Sequence, residues 1–141
     1  EEYVTAMKKA KEAGFTTSIT IIAGLGGVEG MERNAIGTAK LISETKPDFL
    51  GYLTMRIYKN TPLYEDYVSG KFKMPDAGQI LEEMKIFLEH VDSEGTVFRS
   101  NHASNYVLLA GTLNEDKEGL ISAIEKTLKK KSFRPDVLRG F

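Results

Sequence analysis

The sequence predicts an α/β fold with parallel strands, and three observations carry that prediction. A run of β-branched residues, Ile19 to Ile22, empties into a loop holding Gly24, Gly26, Gly27 and Gly30. Beyond the loop, Met31, Ala35, Ala39 and Ile42 recur at helical spacing. A second strand pattern, Phe49 to Ile57, follows a break at Pro47 and Asp48. Two strands joined by one helix of that length read as a right-handed parallel crossover. In such units ligands meet the backbone beyond the C-terminal ends of the strands. Glycine there lets the main chain approach without a Cβ in the way.

The 141 residues suffice for one domain with a sizeable core but are short for a closed β/α barrel. Nineteen Lys and Arg stand against twenty Asp and Glu, a net charge of −1 that gives no general reason to bind nucleic acid or an anionic membrane. No apolar run approaches a membrane span and no signal-peptide pattern opens the chain, so a cytoplasmic protein is expected. With no cysteine and only His90 and His102, which lack metal-ligand spacing, a metal centre would need ligands outside these residues.

In chain order, Tyr3, Met7 and Ala10, with Ala6 and Ala13 beside them, mark a first helix that Gly14 ends. No capping residue precedes Glu1, so that helix has no visible start, as in an excised fragment or a chain whose leader was removed. Phe15 to Ala23 reads as the first strand, Met31 to Glu44 as the helix after the loop, and Phe49 to Ile57 as the second strand. Alternation places Ile19, Ile21 and Ala23 on one face of the first strand, and Phe49, Gly51, Leu53, Met55 and Ile57 on one face of the second. These apolar rows are expected under the helices. Ser18, Thr20 and Ile22, with Leu50, Tyr52, Thr54 and Arg56, would then point away, into a barrel interior holding a polar ligand. An open sheet with a partly solvated face is the alternative.

Thr61-Pro62 opens a short helix that Gly70 closes. Asp76 with Gln79 resembles a capping box, and the helix it starts buries Ile80, Met84, Phe87, Leu88 and Val91. His90, late on that helix, is a partner for its negative end. Thr96 to Arg99 is a short strand, Ser100 to Asn105 a polar turn, and Tyr106 to Leu109 an apolar run leading to Gly111. A last helix runs from about Asn114 to Lys131, burying Leu120, Ile121, Ile124 and Leu128, with Lys129, Lys130 and Lys131 as a solvated cap. The tail from Ser132 to Phe141 shows no periodicity and receives no structure.

The glycine loop does not fit a dinucleotide site. Gly24-x-Gly26 would need a third glycine where Glu29 stands, and the second strand ends at Tyr58 rather than at an acid. A P-loop's Gly-Lys-Ser/Thr is absent. A turn with no ligand remains open.

Taken together, Ile19 to Gly27, then Lys46-Pro47-Asp48, then the strand leading through Met55-Arg56-Ile57-Tyr58-Lys59-Asn60 to Thr61-Pro62-Leu63-Tyr64, resemble the fifth and sixth β/α units of a radical S-adenosylmethionine enzyme. The particular resemblance is to the oxygen-independent coproporphyrinogen III oxidase-like branch. Phe98-Arg99-Ser100-Asn101-His102-Ala103-Ser104-Asn105-Tyr106, with Gly111-Thr112-Leu113, resembles the C-terminal extension of one subgroup, and the likeness covers most of the chain from Ala10 to Leu128. The family's Cys-x3-Cys-x2-Cys motif and its Gly-Gly-Glu turn are absent.

The resemblance implies a partial parallel (β/α) barrel with extra C-terminal helices. Residues 1–93 would be the last β/α units, 94–131 an extension packed on them, and 132–141 a tail. Glu1 would fall in the helix after the fourth strand. It implies an oxidoreductase-like parent using S-adenosylmethionine and a [4Fe–4S] cluster whose ligands lie elsewhere, so this chain alone would be inactive.

By the same resemblance, Ala23, Gly24 and Gly26 would lie beside the cofactor, and Leu53, Thr54 and Met55 would border its adenine. Arg56 would offer a cation to the cofactor carboxylate or the substrate, or form a structural salt bridge. Asn101, His102 and Asn105 would reach a small-molecule substrate at the barrel mouth, or serve a turn through bonds to nearby backbone. A cut barrel exposes a strand edge, so self-association or coverage by a terminal segment is expected. The alternative function is a stand-alone, non-catalytic α/β binding or interaction module.

Overall fold

The β-branched run and the one after Pro47 pair with each other. In a computed structural model describing residues 2–139, Ser18–Ala23 (β1) and Phe49–Thr54 (β2) form a parallel ladder, from Ser18 opposite Phe49 to Ala23 opposite Thr54. Glu1, Gly140 and Phe141 lie outside the described residues, and with them the expected helical position of Glu1 and the end of the tail. Val97–Arg99 (β3) continues the sheet parallel to β2, and Ala110–Thr112 (β4) closes it antiparallel, in the order β1-β2-β3-β4. The protein is an α/β fold with an open, mostly parallel four-stranded sheet.

Both strands are shorter than their apolar patterns: β1 begins only at Ser18 and β2 stops at Thr54. Below β1, Thr17 and Asp48 bind each other: the Thr17 N–H and hydroxyl donate to Asp48 Oδ2 at 2.7 and 2.8 Å. Above β2, the Met55 N–H donates to the Ala23 carbonyl at 2.9 Å, and Met55 turns in under Gly24.

The in-step register corrects the expected faces of β2. Ile19 stands opposite Leu50, Ile21 opposite Tyr52 and Ala23 opposite Thr54, so these residues share one face. Leu50, Tyr52 and Thr54 are buried under the helices, while Phe49 is 47% exposed on the other face with Gly51 and Leu53. Three partners make this arrangement stable. The Tyr52 ring sits between Phe87 and Phe98, at 5.6 and 6.0 Å, and the Thr54 hydroxyl donates to Asn105 Oδ1 at 2.9 Å. For β1 the expected rows hold, with Ile21 and Ala23 buried and Ser18, Thr20 and Ile22 exposed.

The helix layer lies against the Leu50 face. Gly27–Thr45 (α2) and Ala77–His90 (α4) pack side by side there through Ala35, Ala39 and Ile42 and through Ile80, Met84 and Phe87. Lys117–Lys130 (α5) adds Leu120 and Ile124 against α4. Glu2–Glu12 (α1) rests on α2 by the half-buried Val4, Met7 and Ala10, whereas Tyr3, expected on that stripe, is 77% exposed. Pro62–Val68 (α3) starts at the Thr61 cap, whose hydroxyl accepts the Tyr64 N–H. The Asp76–Gln79 capping box is present in both directions, at 2.8 and 2.9 Å.

The tail corrects the expectation of no structure. Asp136–Leu138 forms a 3-10 turn, and Arg139 after it is buried. Among the described residues, no helix is long and apolar enough to cross a membrane.

Candidate functional site

The C-terminal ends of β1 and β2 meet the loop joining β3 to β4, and a groove of about 220 Å³ lies between them. Ile22, Leu53, Met55 and Tyr58 give it an apolar and aromatic wall, while Arg56, Thr54, His102 and Ser104 supply the polar groups. Five residues separated by up to 49 positions in the sequence, Leu53, Thr54, Met55, Arg56 and His102, therefore meet in one place.

The loop between β3 and β4 is held from inside. The Ser100 N–H donates to the Leu109 carbonyl at 2.8 Å, closing the loop at its base. Asn105 is fully buried and uses three bonds: its amide donates to the carbonyls of Tyr52 at 2.6 Å and Ser100 at 2.9 Å, and its oxygen accepts from Thr54. It serves the fold and does not line the groove, whereas Asn101 is exposed.

A short relay links the end of β2 to His102. The Thr54 N–H donates to Ser104 Oγ at 3.1 Å, and Ser104 Oγ lies 2.9 Å from His102 Nδ1. The Ser104 N–H also donates to His102 Nδ1 at 3.1 Å, so Nδ1 is the acceptor and the ring proton belongs on Nε2. Arg56 donates from Nη1 to the backbone carbonyl of Arg139 at 2.9 Å.

The glycine loop is turned away from this groove. Ala23 is buried on the helix side. Gly24 has φ +90°, and its N–H donates at 2.9 Å to Glu83, a buried α4 carboxylate that also accepts from Asn34 at 2.6 Å. A Cβ at Gly26 would lie 2.5 Å from the Gly30 carbonyl, so close packing at the start of α2 demands that glycine. Gly26 opens instead onto a separate cleft of about 460 Å³ with Leu25, Gly30 and Arg33. The expected gathering of Ala23, Gly24 and Gly26 with Leu53 to Arg56 around one ligand is therefore corrected. The Gly24 N–H is met by Glu83, and the Gly24 and Gly26 carbonyls by the N–H groups of Gly27 and Gly30.

Glu83 is the residue that sequence reading missed. Burial pushes its carboxyl up from the ordinary range, against the opposing pull of the bonds from Asn34 and Gly24. The space beside it, next to Tyr52 and Phe87, is about 10 Å³, which holds no ligand. A signal existed: Glu83 falls on the same helical stripe as Ile80, Met84 and Phe87, where a carboxylate needs a reason. Burial, followed by the Glu83 charge, pushes the Tyr52 phenol well above its usual range.

A wider depression of about 580 Å³ runs between α1 and α2. Its charged groups, Lys40 and Glu44, are exposed and 4.0 Å apart on one helix, so they face each other more than any ligand. Among the described residues no group of three His, Cys, Asp or Glu could hold a metal ion. No family model matches the chain, and neither a curated protein nor a solved structure matches it.

Proposed function

We propose that this chain is the C-terminal part of a radical S-adenosylmethionine barrel of the coproporphyrinogen III oxidase-like branch, contributing one wall of the S-adenosylmethionine pocket. The observation that carries the reading is the position of the groove. It lies at the C-terminal ends of two adjacent parallel strands, on the face opposite the helices, and of the residues expected at the cofactor Leu53, Thr54, Met55 and Arg56 line it, while Ala23, Gly24 and Gly26 do not. In a barrel, β1 and β2 would be neighbouring staves, with the helix layer outside and the Ile22–Leu53 face inside.

The groove's chemistry fits part of such a cofactor. Ile22, Leu53 and Tyr58 offer flat apolar surface to a purine, and Arg56 offers a planar cation to a carboxylate. The N–H groups of Thr54 and Met55 are already spent on Ser104 and Ala23. Main-chain recognition there falls to carbonyls, which suit an exocyclic amine. At about 220 Å³ the groove is smaller than the roughly 300–1,000 Å³ of a whole ligand site, as one wall of a shared pocket is.

An iron–sulfur cluster does not fit this chain, which has no cysteine. Bound with its cluster, the cofactor supplies radical chemistry. These residues bind, orient and shield, and the chain alone is inactive.

The experiment is amide NMR of the chain titrated with S-adenosylmethionine. Shifts confined to Leu53 to Arg56 and to the His102 loop, lost on Arg56→Ala, support the reading. Saturating ligand that leaves those amides unmoved ends it. The second reading, a non-catalytic α/β binding module, is favoured by the glycine loop, whose Gly24 N–H is taken by Glu83 within the fold. Coding sequence upstream of Glu1 that carries Cys-x3-Cys-x2-Cys separates the two.

A further inference from the structure

The last described residues return to the groove. The Arg134 N–H donates to the Tyr106 carbonyl at 2.8 Å, and Phe133 meets the Tyr106 ring edge-on at 6.5 Å. Arg139 then lies across the outside of the loop between β3 and β4. Its guanidinium carbon is 3.4 Å from the centre of the Tyr106 ring, its Nε donates to the Ser104 carbonyl at 2.8 Å, and its Nη1 pairs with Asp136. It is only 7% exposed.

Two walls of the groove thus converge on one residue. The side chain of Arg139 grips Ser104, whose N–H and hydroxyl hold His102 Nδ1, while the Arg139 carbonyl receives Arg56. An arginine suits this better than a lysine. Stacking on a ring while donating sideways from Nε needs a planar, delocalised cation, which an ammonium is not.

We infer that Arg139 is a positioning residue for the groove, its side chain setting His102 and its carbonyl setting Arg56, so that ligand binding depends on the docked tail. The inference deepens the cofactor-pocket reading and rests on it only for the identity of the ligand. The side-chain grip is the part that substitution removes directly. The carbonyl survives substitution but moves once the tail is no longer anchored.

The test compares the full chain with Arg139→Ala, Arg139→Lys and Tyr106→Leu, which removes the stacking ring while leaving an apolar residue against Phe133. Three readouts are taken: far-UV circular dichroism, the ring-nitrogen NMR signals of His102 without ligand, and S-adenosylmethionine titration. The expected result is an unchanged helix signal, with His102 losing its single-tautomer signature, Nδ1 as acceptor and Nε2 protonated, in all three variants. Lysine fails to restore it. Affinity for S-adenosylmethionine falls on the order of tenfold, as when a residue that orients a binding group is lost.

If His102 keeps its signature in Arg139→Ala, or if Arg139→Lys behaves as the unmodified chain does, the inference is overturned. Loss of the whole fold in all three variants also overturns it, by making Arg139 a residue of general stability. If the unmodified chain does not bind S-adenosylmethionine while the variants still disturb His102, the positioning role stands and the cofactor reading fails.

Discussion

A carboxylate inside an apolar helix stripe is costly unless neighbours repay it with hydrogen bonds, and Glu83 shows how narrow that balance is. Its two oxygens receive Gly24 and Asn34, so it ties α4 to the loop after β1 and to α2 at once. Glu83→Leu leaves the Gly24 N–H buried without an acceptor and should cost about 1–3 kcal/mol in chemical denaturation. Glu83→Gln keeps an oxygen for one donor but turns an amide N–H₂ toward the other, so the loss is smaller and not zero. The pH dependence carries a sign. Because burial raises the folded pKa of Glu83 above its unfolded value near 4.3, its contribution is fully present below that value and is lost as pH rises through the folded pKa. Stability measured from pH 4 upward should therefore fall less in Glu83→Gln than in the unmodified chain. Equal slopes would show that the carboxyl is not perturbed.

Among the elements, β1 and β2 are fastened at their lower ends by one pair of residues. Asp48 accepts two bonds from Thr17, and its own N–H donates back to the Thr17 hydroxyl at 3.2 Å. The Thr17 backbone N–H, followed by its hydroxyl, holds the Asp48 carboxyl below the ordinary carboxylate range. The sign is the reverse of Glu83: this contribution is present above the unfolded pKa near 3.9 and is lost as pH falls through the folded value. Asp48→Asn should flatten the acid limb of the stability profile, below about pH 4, without changing the limb that Glu83 governs. The start of α2 is a second tight point. A Cβ placed at Gly26 meets the Gly30 carbonyl at 2.5 Å, so Gly26→Ala should lower stability by about 1–3 kcal/mol through overpacking. The Gly37→Ala change, with open space around its Cβ, should be neutral or slightly stabilising in the same melts, because alanine is the better helix former.

For the whole molecule, the decisive feature is a sheet covered on one face only. Helices shield the Leu50 face, while Phe49, Ile22 and the open groove look outward on the other, and β1 is an edge strand among the described residues. An uncovered edge beside exposed apolar side chains favours pairing with another chain. Sedimentation of the chain should show concentration-dependent association, and Ile22→Lys together with Phe49→Lys should abolish it without altering the thermal melt by more than a few degrees. A monomer at every concentration would remove this expectation.

Much of this was legible in residues that act locally. Periodicity and caps alone mark α2, α3 and α4, because Thr61-Pro62 and the Asp76–Gln79 box act within one turn of chain. The parallel pairing of β1 and β2 also follows from the helix between them. Locality fails where a residue's role is set by something distant. Alternation alone inverts the face of β2 because Tyr52 and Thr54 look polar in isolation, while burial against Phe87 and Asn105 makes them core. The glycine loop alone fits either a ligand cradle or a plain turn, and the acceptor of its Gly24 N–H, Glu83, lies 59 residues away. Likewise Arg139 sits in a stretch without periodicity, and only the fold sets it on Tyr106 and Ser104. The sequence by itself determined the main helices, the Thr61 and Asp76 caps and the parallel pairing of β1 with β2, since those depend on spacing along one chain. The tertiary structure alone decided which face is buried and where the groove lies, since those depend on partners brought together across the fold.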